Sequence, residues 1–525
     1  MKRRTFVRGL GAGIALGPAA FSASAANALG PEAVSPHLTR IHQPFLITAK
    51  EAQAWHVAKD SLGGPTLAGS PSWKNFLEIT ERELRARGVT DVFRNAWTYD
   101  RWFTSDWPDD TNWTLTIDGK KIRVASYGAN SGMTAAAGVT GALVAYRQGM
   151  SGEALKGKIV VIPPGPPFWE VRGARAASPF GDYEYLSEAE TFPNPLVPNS
   201  AGIGSSPFGR MNVQGHADEL QKAGAAGMLW VVDLSYEALA GTYNFPVPAR
   251  YNLPTLLLDR EAGAEAIAAA NSGTQATLRL IAQTEKAAPY QLFGFLPGKH
   301  YGTPAEEQVM LVTHTDGPSI SQDNGAFGIL GIVHYLSQIP QTERPRTVMI
   351  FLDARHYMPG AERAFAEQDY AAKHPDFYKS VVAAVGIEHL GQVEYLDLPN
   401  KPRHRTGQPE PSTVWVTNNQ ALLDLAIAAV KDNGLKRVQV QCPGRKGMHG
   451  GDQGPWYGLG AIAGRIGVPG SATMGSMTGY WSTRARIEAL DAQHFVTQVA
   501  TMAQITGALL TADMAQLRPQ GKTSS

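Results

Sequence analysis

The chain has 525 residues, of which 43% are hydrophobic, so it is too long for one ordinary core and apolar enough to bury two or three. Lysine and arginine together number 47 against 46 aspartate and glutamate residues, so the net charge is close to neutral. This composition excludes a disordered or fibrous protein and argues against nucleic acid or an anionic membrane surface as a partner.

The first residues have the features of an export signal. Arg3 and Arg4 precede a short, weakly apolar run rich in glycine and alanine, and two Ala-x-Ala cleavage sites end at Ala25 and Ala28. The segment 1–28 resembles a twin-arginine signal peptide. A Sec signal or a membrane anchor is less favoured because glycine and proline interrupt the apolar run. We expect a periplasmic or secreted protein whose mature chain has no transmembrane helix.

Residues 31–130 are predicted to form the N-terminal part of the domain that residues 286–515 complete. They combine a helical pattern at about 74–88 with an unusual density of tryptophan. Such side chains either pack the edge of a sheet or line a cleft, and the sequence leaves both alternatives open. The tryptophans in question are Trp97, Trp102, Trp107 and Trp113.

Residues 131–285 are rich in glycine and alanine and are predicted to form a separate β-rich unit. The segments LKGKIVV, KAGAAGMLWV and LPTLLLD follow one another in this region. Their order resembles a protease-associated domain, an insert that usually covers an active site. Within it, residues 163–210 are rich in proline, glycine and aromatic residues and are predicted to form a long loop, which is typical of a functional lid.

Residues 286–515 alternate between strand and helix patterns, before a short tail at 516–525. Such alternation indicates an α/β fold with a largely parallel mixed sheet sandwiched by helices. Ligands of such folds bind beyond the carboxyl ends of the strands, where His314, Asp353 and Glu388 fall. The predicted strands are 308–313, 346–352 and 381–387, and the predicted helices are 325–338, 361–370, 419–433 and 489–511.

Two motifs lie close together in the stretch LVTHTDGPSISQDNGAFG at 311–328. The first is a His-x-Asp motif formed by His314 and Asp316, and the second is Asp323 followed by Asn324 and a glycine-rich helix start. With these motifs the region resembles the zinc exopeptidase superfamily, which includes leucyl aminopeptidases, glutamate carboxypeptidase II and the transferrin receptor. The resemblance implies a zinc-aminopeptidase-like α/β fold with the protease-associated domain as its insert.

The resemblance also implies a site for one or two divalent metal ions, with zinc as the expected metal. His314 and Asp323 would be ligands, and Asp316 would orient the imidazole of His314. A third ligand position, at which the family has an aspartate, falls on Glu388. Glutamate is longer by one methylene and remains an acceptable oxygen ligand.

The family's Glu-Glu pair, which supplies the general base and a ligand, is replaced here by Arg355 and His356. The general base is therefore missing from this alignment. His356 would serve as a metal ligand in place of the carboxylate. Arg355 cannot accept a proton, but its guanidinium would bind a substrate carboxylate or stabilise an oxyanion.

The late part of the chain contains the remaining candidate residues. His449 lies in the glycine-rich stretch GMHGGDQGPWYGLG and is the predicted substitute acid–base group. Trp481 stands where the family has a histidine ligand, and an indole N–H cannot coordinate a metal. His389 is predicted to be a packed residue, because on a regular strand it would point away from Glu388. The predicted substrate contacts are Asp452, Trp456, Tyr480 and Trp481.

Two functions follow from this sequence. The first is an exported metal-dependent hydrolase of amide or peptide-like bonds, aminopeptidase-like, acting on a peptide or an acylated amino-acid-like substrate at an altered metal site. The second is a catalytically inactive peptidase homologue that binds or scaffolds other molecules. A serine hydrolase is a remote option because the sequence has no Gly-x-Ser-x-Gly motif. The oligomeric state is left open.

Overall fold

The computed structural model describes residues 34–150, 152–164, 184–187, 213–243, 249–359, 370–397, 401–442, 462–475 and 484–517. These residues form a nine-stranded sheet, an eight-stranded sheet and two small two-stranded sheets, together with helices. Within these ranges no helix has the length and apolar character needed to cross a membrane.

The nine-stranded sheet is mixed, with parallel strands at its centre. The strand that ends at His314 pairs in parallel with the strand on either side of it. An antiparallel strand follows directly on one side of this group, whereas on the other side one more parallel strand comes first. In spatial order the strands are Thr90–Ala96, Tyr290–Leu296, Thr347–Asp353, Gln308–His314, Val381–Ile387, Gly470–Gly475, Ser412–Val416, Val438–Gln441 and Tyr185–Leu186.

Both faces of this sheet are buried, as the apolar strand runs predict. Along the strand Gln308–His314, Val309 and Leu311 belong to one hydrophobic core, whereas Met310 and Val312 belong to another. The two sets alternate because successive side chains of a strand point to opposite faces. A strand that buries every residue in this way must lie between two packed layers.

Helices supply those layers, and the most buried of them is Gly325–Ser337, which follows the strand that ends at His314. It begins at a glycine because a Cβ at Gly325 would lie 2.1 Å from the carbonyl oxygen of Ile387. The other helices are Ala49–Asp60, Pro71–Ala86, Gly152–Leu155, Val213–Lys222, Tyr236–Leu239, Arg260–Asn271, Tyr370–Lys373, Gln420–Asp432, Ile462–Ile466 and Ala492–Thr511, with 3-10 turns at Pro36–Leu38, Gln43–Phe45, Gln341–Glu343 and Ile487–Ala489.

The eight-stranded sheet has its own hydrophobic core. In spatial order its strands are Lys120–Ile122, Trp113–Ile117, Gln275–Leu280, Val139–Ala145, Ile159–Ile162, Gly227–Val231, Thr255–Leu258 and Ser126–Tyr127. Pairing in this sheet therefore starts at Trp113, before residue 131. The two-stranded sheets pair Tyr99–Phe103 with Gln283–Ala287 and Val393–Leu396 with His404–Pro409.

The tryptophan cluster mainly packs this second core. Trp102 and Trp113 are buried, and both rings lie 5.7 Å from the ring of Tyr127. Trp107 packs against the same core, whereas Trp97 packs against the core of the nine-stranded sheet. Of the two alternatives that the sequence left open, the structure therefore shows packing for these side chains.

The predicted strands and most of the predicted helices are confirmed within one to three residues at each end. The predicted helix at about 74–88 is the helix Pro71–Ala86, which starts earlier because Ser70 caps it by accepting a hydrogen bond from the Trp73 N–H at 3.1 Å. Nearly all of the predicted helix 361–370 and most of the predicted loop 163–210 lie outside the described residues.

Candidate metal centre

Three polar residues meet at the carboxyl edge of the nine-stranded sheet. His314 and Asp353 are the last residues of neighbouring parallel strands and lie opposite each other in the register. Glu388 directly follows the next strand, Val381–Ile387. Because parallel strands end at the same edge of a sheet, the fold brings together side chains from distant parts of the sequence.

The ligand atoms of His314, Glu388 and His389 form a compact group, all within 4.8 Å of one another. The Nε2 atoms of the two imidazoles are 3.4 Å apart, and each lies 3.9 Å from Oε2 of Glu388. All three side chains are buried. Two imidazoles and a carboxylate from two strand ends therefore face a common point.

A hydrogen bond at Nδ1 of His314 leaves the lone pair of the ring on Nε2, where it can bind a cation. Nδ1 lies 2.9 Å from the carbonyl oxygen of Asp316, and a carbonyl only accepts hydrogen bonds, so Nδ1 carries the proton and Nε2 the lone pair. Burial lowers the pKa of His314 to about 4 and the pKa of His389 well below its ordinary value. Both rings are neutral near pH 7, which is the form that binds metal.

The donor set fits a zinc ion. Tetrahedral zinc with Zn–N bonds of about 2.0–2.1 Å places neighbouring ligand atoms roughly 3.4 Å apart. The separation of the two Nε2 atoms is 3.4 Å, whereas the carboxylate of Glu388 is slightly farther away at 3.9 Å. Two histidines with one glutamate is also a ligand set of known catalytic zinc sites, which keep a fourth position open.

The His389 side chain is buried, as expected, but its direction differs from the sequence prediction. It was expected to point to the face opposite Glu388, but the strand ends at Ile387 and His389 has a positive φ of 54°. Alternation of faces holds only within a regular strand, so the left-handed turn brings the imidazole beside the carboxylate. A non-glycine residue in this conformation leaves no clear signal in the sequence.

Asn324 fixes the turn that contains His389. Its Oδ1 accepts a hydrogen bond from the Leu390 N–H at 2.9 Å, and its Nδ2 donates to the Leu390 carbonyl oxygen at 2.7 Å. Nδ2 also lies 3.1 Å from Nε2 of His56. The Asp-Asn pair in the sequence therefore supplies a positioning residue, because Asn324 holds the backbone that follows His389.

Asp316 links two parts of the site. Its carbonyl oxygen orients His314, while its carboxylate accepts hydrogen bonds from the N–H groups of His356 and Tyr357 at 3.1 and 2.6 Å. The carboxylate lies 3.8 Å from Nδ1 of His314, so the main chain of Asp316 makes the orienting contact. Burial raises the pKa of Asp316 to about 8, which makes this carboxyl group a poor general base near neutral pH.

His356 stacks on His314 and does not join the compact group. The ring centroids are 4.1 Å apart and the planes are inclined by 21°. The lone pairs of imidazole lie in the ring plane, so two stacked rings do not direct them at one ion. His356 is partly exposed, whereas His314 is fully buried.

Asp323 is held by a cation of the chain itself. Lys59, near the end of the helix Ala49–Asp60, forms a buried ion pair with Oδ1, and Thr66 donates a hydrogen bond to Oδ2. Burial raises the pKa of Asp323 and lowers the pKa of Lys59, and each partner opposes the effect on the other. Asp323 is not part of the group formed by His314, Glu388 and His389.

Arg355 makes a similar contact with Asp353. Its Nε lies 2.9 and 3.0 Å from the two carboxylate oxygens, and its Nη2 lies 2.5 Å from Oδ2. The Arg355 side chain is 10% exposed and Asp353 is 3% exposed. The guanidinium that the sequence assigns to a substrate or an oxyanion is therefore bound to the last residue of the strand that Arg355 follows.

Five predicted site residues lie outside the described part of the chain, so the structure gives no position for them. They are His449, Asp452, Trp456, Tyr480 and Trp481.

Solved structures with this architecture include several peptidases. The similarity to an aminopeptidase from an Aneurinibacillus species has a TM-score of 0.56 at 13% identity, over 94% of this chain and 98% of that one. For a zinc aminopeptidase from Bacillus subtilis the TM-score is 0.56 at 13% identity, over 90% and 98%. For a peptidase precursor from Shewanella amazonensis it is 0.59 at 16% identity, over 90% and 97%.

The chain has the fold of a zinc aminopeptidase. At these identities the similarity establishes the fold alone, because one fold supports many functions. No family model matches the sequence, and no curated protein sequence matches it.

Proposed function

We propose that the protein is an exported, metal-dependent hydrolase of amide or peptide-like bonds, with an aminopeptidase-like fold and an altered metal site. The observation that supports this most directly is the buried group of His314, Glu388 and His389 at the carboxyl edge of the sheet. This edge is where α/β folds place their ligands. The proposed substrate is a peptide or an acylated amino-acid-like molecule.

In this proposal, His314, Glu388 and His389 hold a zinc ion. A zinc ion in such a site polarises a carbonyl group and lowers the pKa of bound water. Asp316 holds His314 in the tautomer with its lone pair on Nε2, and Asn324 holds the turn of His389. These two residues would act through the ligands and would not touch the substrate.

The proton-transfer group and the substrate contacts remain proposals from the sequence. His449 is the proposed acid–base group, and Asp452, Trp456, Tyr480 and Trp481 are the proposed substrate contacts. His356 is a further candidate for proton transfer, because its partly exposed ring lies directly against His314. Arg355 is a weaker candidate for oxyanion binding, because its guanidinium is already bound to Asp353.

The test combines metal analysis with a substrate screen. Purified wild-type protein should contain zinc, and it should hydrolyse at least one aminoacyl or acylated amide substrate in a chelator-sensitive manner. His389→Ala should lose both metal and activity. His404→Ala is the matched control, because His404 is exposed in the hairpin of Val393–Leu396 and His404–Pro409. Metal-free wild-type protein with no chelator-sensitive activity would refute the proposal.

A catalytically inactive binding protein is the second candidate. It is favoured by the ion pairs at the strand edge, since Lys59 neutralises Asp323 and Arg355 neutralises Asp353. A buried carboxylate that is already paired with a cation is a poor general base. The packing of Trp102 and Trp113 in a core argues against these two side chains as a recognition surface. Bound metal without hydrolysis of any substrate in the screen would favour this candidate.

Export through the twin-arginine route and the protease-associated nature of the second sheet belong to the same proposal. Replacement of Arg3 and Arg4 by lysine should retain the protein in the cytoplasm, as measured by cell fractionation. Periplasmic delivery of the double variant at the wild-type level would contradict twin-arginine export.

A further inference from the structure

Lys59 lies in a cage of oxygen atoms next to the candidate metal centre. Its Nζ donates hydrogen bonds to the carbonyl oxygens of Ser319 and Ile320 at 2.7 and 3.3 Å, and to Oδ1 of Asp323. The Lys59 side chain is 4% exposed, and the Asp323 side chain is fully buried. Thr66 completes the surroundings of the carboxylate by donating to Oδ2.

The geometry of the cage matches a charged lysine. A neutral amine has two N–H donors, whereas the Nζ of Lys59 faces three oxygen acceptors, none of which can donate a proton to it unless Asp323 is itself protonated. An ammonium group satisfies all three acceptors. It also compensates the carboxylate of Asp323, which would otherwise be an isolated buried charge.

The sequence resemblance assigns a metal-ligand role to Asp323, but the structure gives both of its oxygens to other groups. Oδ1 is bound by Lys59 and Oδ2 by Thr66. The loop is held in this position, because Thr66 and Gly317 exchange main-chain hydrogen bonds at 2.9 and 3.1 Å. The residues present therefore do not fit a metal ion at Asp323.

We propose that the ammonium group of Lys59 is a tethered cation that takes the place of a second metal ion at Asp323. The site then binds a single metal ion through His314, Glu388 and His389. This inference rests on the proposed function, since it needs a metal ion at the first position. The inference adds a physical reason why a second metal ion does not bind at Asp323.

Electrostatics explains why a metal does not displace the ammonium group. A divalent cation at Asp323 would face the positive charge of Lys59 at a few ångströms inside the protein, where water screens poorly. Removal of the ammonium group would leave two carbonyl oxygens, a carboxylate and a hydroxyl. Such oxygen ligands suit a hard cation such as Mg²⁺ or Ca²⁺.

The first measurement uses the wild-type protein. After dialysis against zinc with magnesium or calcium present, elemental analysis should give one metal ion per chain. Two ions per chain would overturn the proposal for Lys59. No bound ion would instead refute the proposed metal centre, so the two failures are distinguishable.

The second measurement compares Lys59→Met with the double variant Lys59→Met and Asp323→Asn. The single variant leaves the buried carboxylate of Asp323 without its cation and should take up one additional Mg²⁺ or Ca²⁺ ion per chain. Addition of that ion should raise the melting temperature of the variant. The double variant replaces the ion pair by neutral side chains and should bind one zinc ion, with an affinity within about threefold of the wild type. Unchanged metal content in a folded Lys59→Met variant would overturn the proposal.

The double variant also covers the case in which Lys59→Met does not fold. If Asp323 binds the zinc ion in solution, with Lys59 displaced, then the double variant must lose zinc affinity by at least tenfold. That result would overturn the proposal without any use of the single variant. Lys59→Arg keeps a cation at this position and should bind one ion, as the wild type does.

Discussion

Carboxylates at one edge of the same sheet have two different kinds of partner. Asp323 and Asp353 are paired with Lys59 and Arg355, whereas Glu388 lies between the imidazoles of His314 and His389. A cation of the chain is hydrogen-bonded to each of the first two carboxylates. Oε2 of Glu388 instead lies 3.9 Å from the Nε2 atoms of two imidazoles, which are neutral near pH 7 and can share an external cation with it. In the proposed site, the partner of each carboxylate therefore decides where the metal ion binds.

The first prediction concerns the ion pair between Arg355 and Asp353. Arg355→Met leaves the buried carboxylate of Asp353 without its guanidinium and should lower the free energy of unfolding by about 3–5 kcal/mol. Urea denaturation measures this loss. The double variant Arg355→Met with Asp353→Asn should recover most of it. Equal stability of the single variant and the wild type would show that the ion pair is not formed in solution.

The second prediction concerns the carboxylate of Glu388, which lies beside the imidazoles of His314 and His389. Glu388→Ala should weaken zinc binding by at least about a hundredfold, because a direct ligand is lost, as measured by competition with a coloured chelator. Its unfolding free energy in the presence of a chelator should change less than that of Arg355→Met. Wild-type zinc affinity in Glu388→Ala would exclude this residue as a ligand.

The third prediction concerns the residue that positions the turn. Asn324→Ala removes two hydrogen bonds to Leu390 and should weaken zinc binding by about 10–100-fold while the ligands remain. Asn433→Ala is a matched control, because it also removes two side-chain hydrogen bonds, to Ala429 and Gln504, on a helix end. An equal effect of both variants on zinc affinity would contradict a positioning role for Asn324.

The fourth prediction uses a carboxyl group beside the second core with a third kind of partner, a hydroxyl. Tyr127 donates a hydrogen bond to Asp106 at 2.9 Å, and burial raises the pKa of Asp106 to about 6. A raised pKa means that the folded state holds the proton more tightly than the unfolded state does. The contribution of Asp106 to stability is therefore greatest at acidic pH and falls as the pH rises from about 4 to about 6.

The variant Asp106→Asn isolates this contribution. The difference in unfolding free energy between wild type and variant should fall by about 1–3 kcal/mol between pH 4 and pH 7 and should stay constant above pH 7. Denaturation series at several pH values measure it. A difference that does not change with pH would show that Asp106 titrates in the folded protein as it does in the unfolded chain.

The sequence predicted the architecture of the main sheet well, because its signals are local. The fully apolar runs that end at His314, at Asp353 and before Glu388 are buried parallel strands, and glycine at position 325 begins the helix between them. The position of the site at the carboxyl edge then follows from the geometry of parallel strands. The sequence did not indicate that the eight-stranded sheet starts at Trp113, because an aromatic-rich strand can pack in either sheet.

The sequence by itself placed His314, Asp353 and Glu388 at the carboxyl ends of strands. Only the tertiary structure decided which carboxylate faces a cation of the chain, because Lys59 lies 264 residues before Asp323 and nothing local to either residue indicates the pair. The same holds for His389, whose left-handed backbone turn is fixed by Asn324 at the start of the helix Gly325–Ser337. Charge pairing and turn geometry depend on partners that are far apart in the sequence, whereas the burial of a strand depends on the apolar pattern of its own residues.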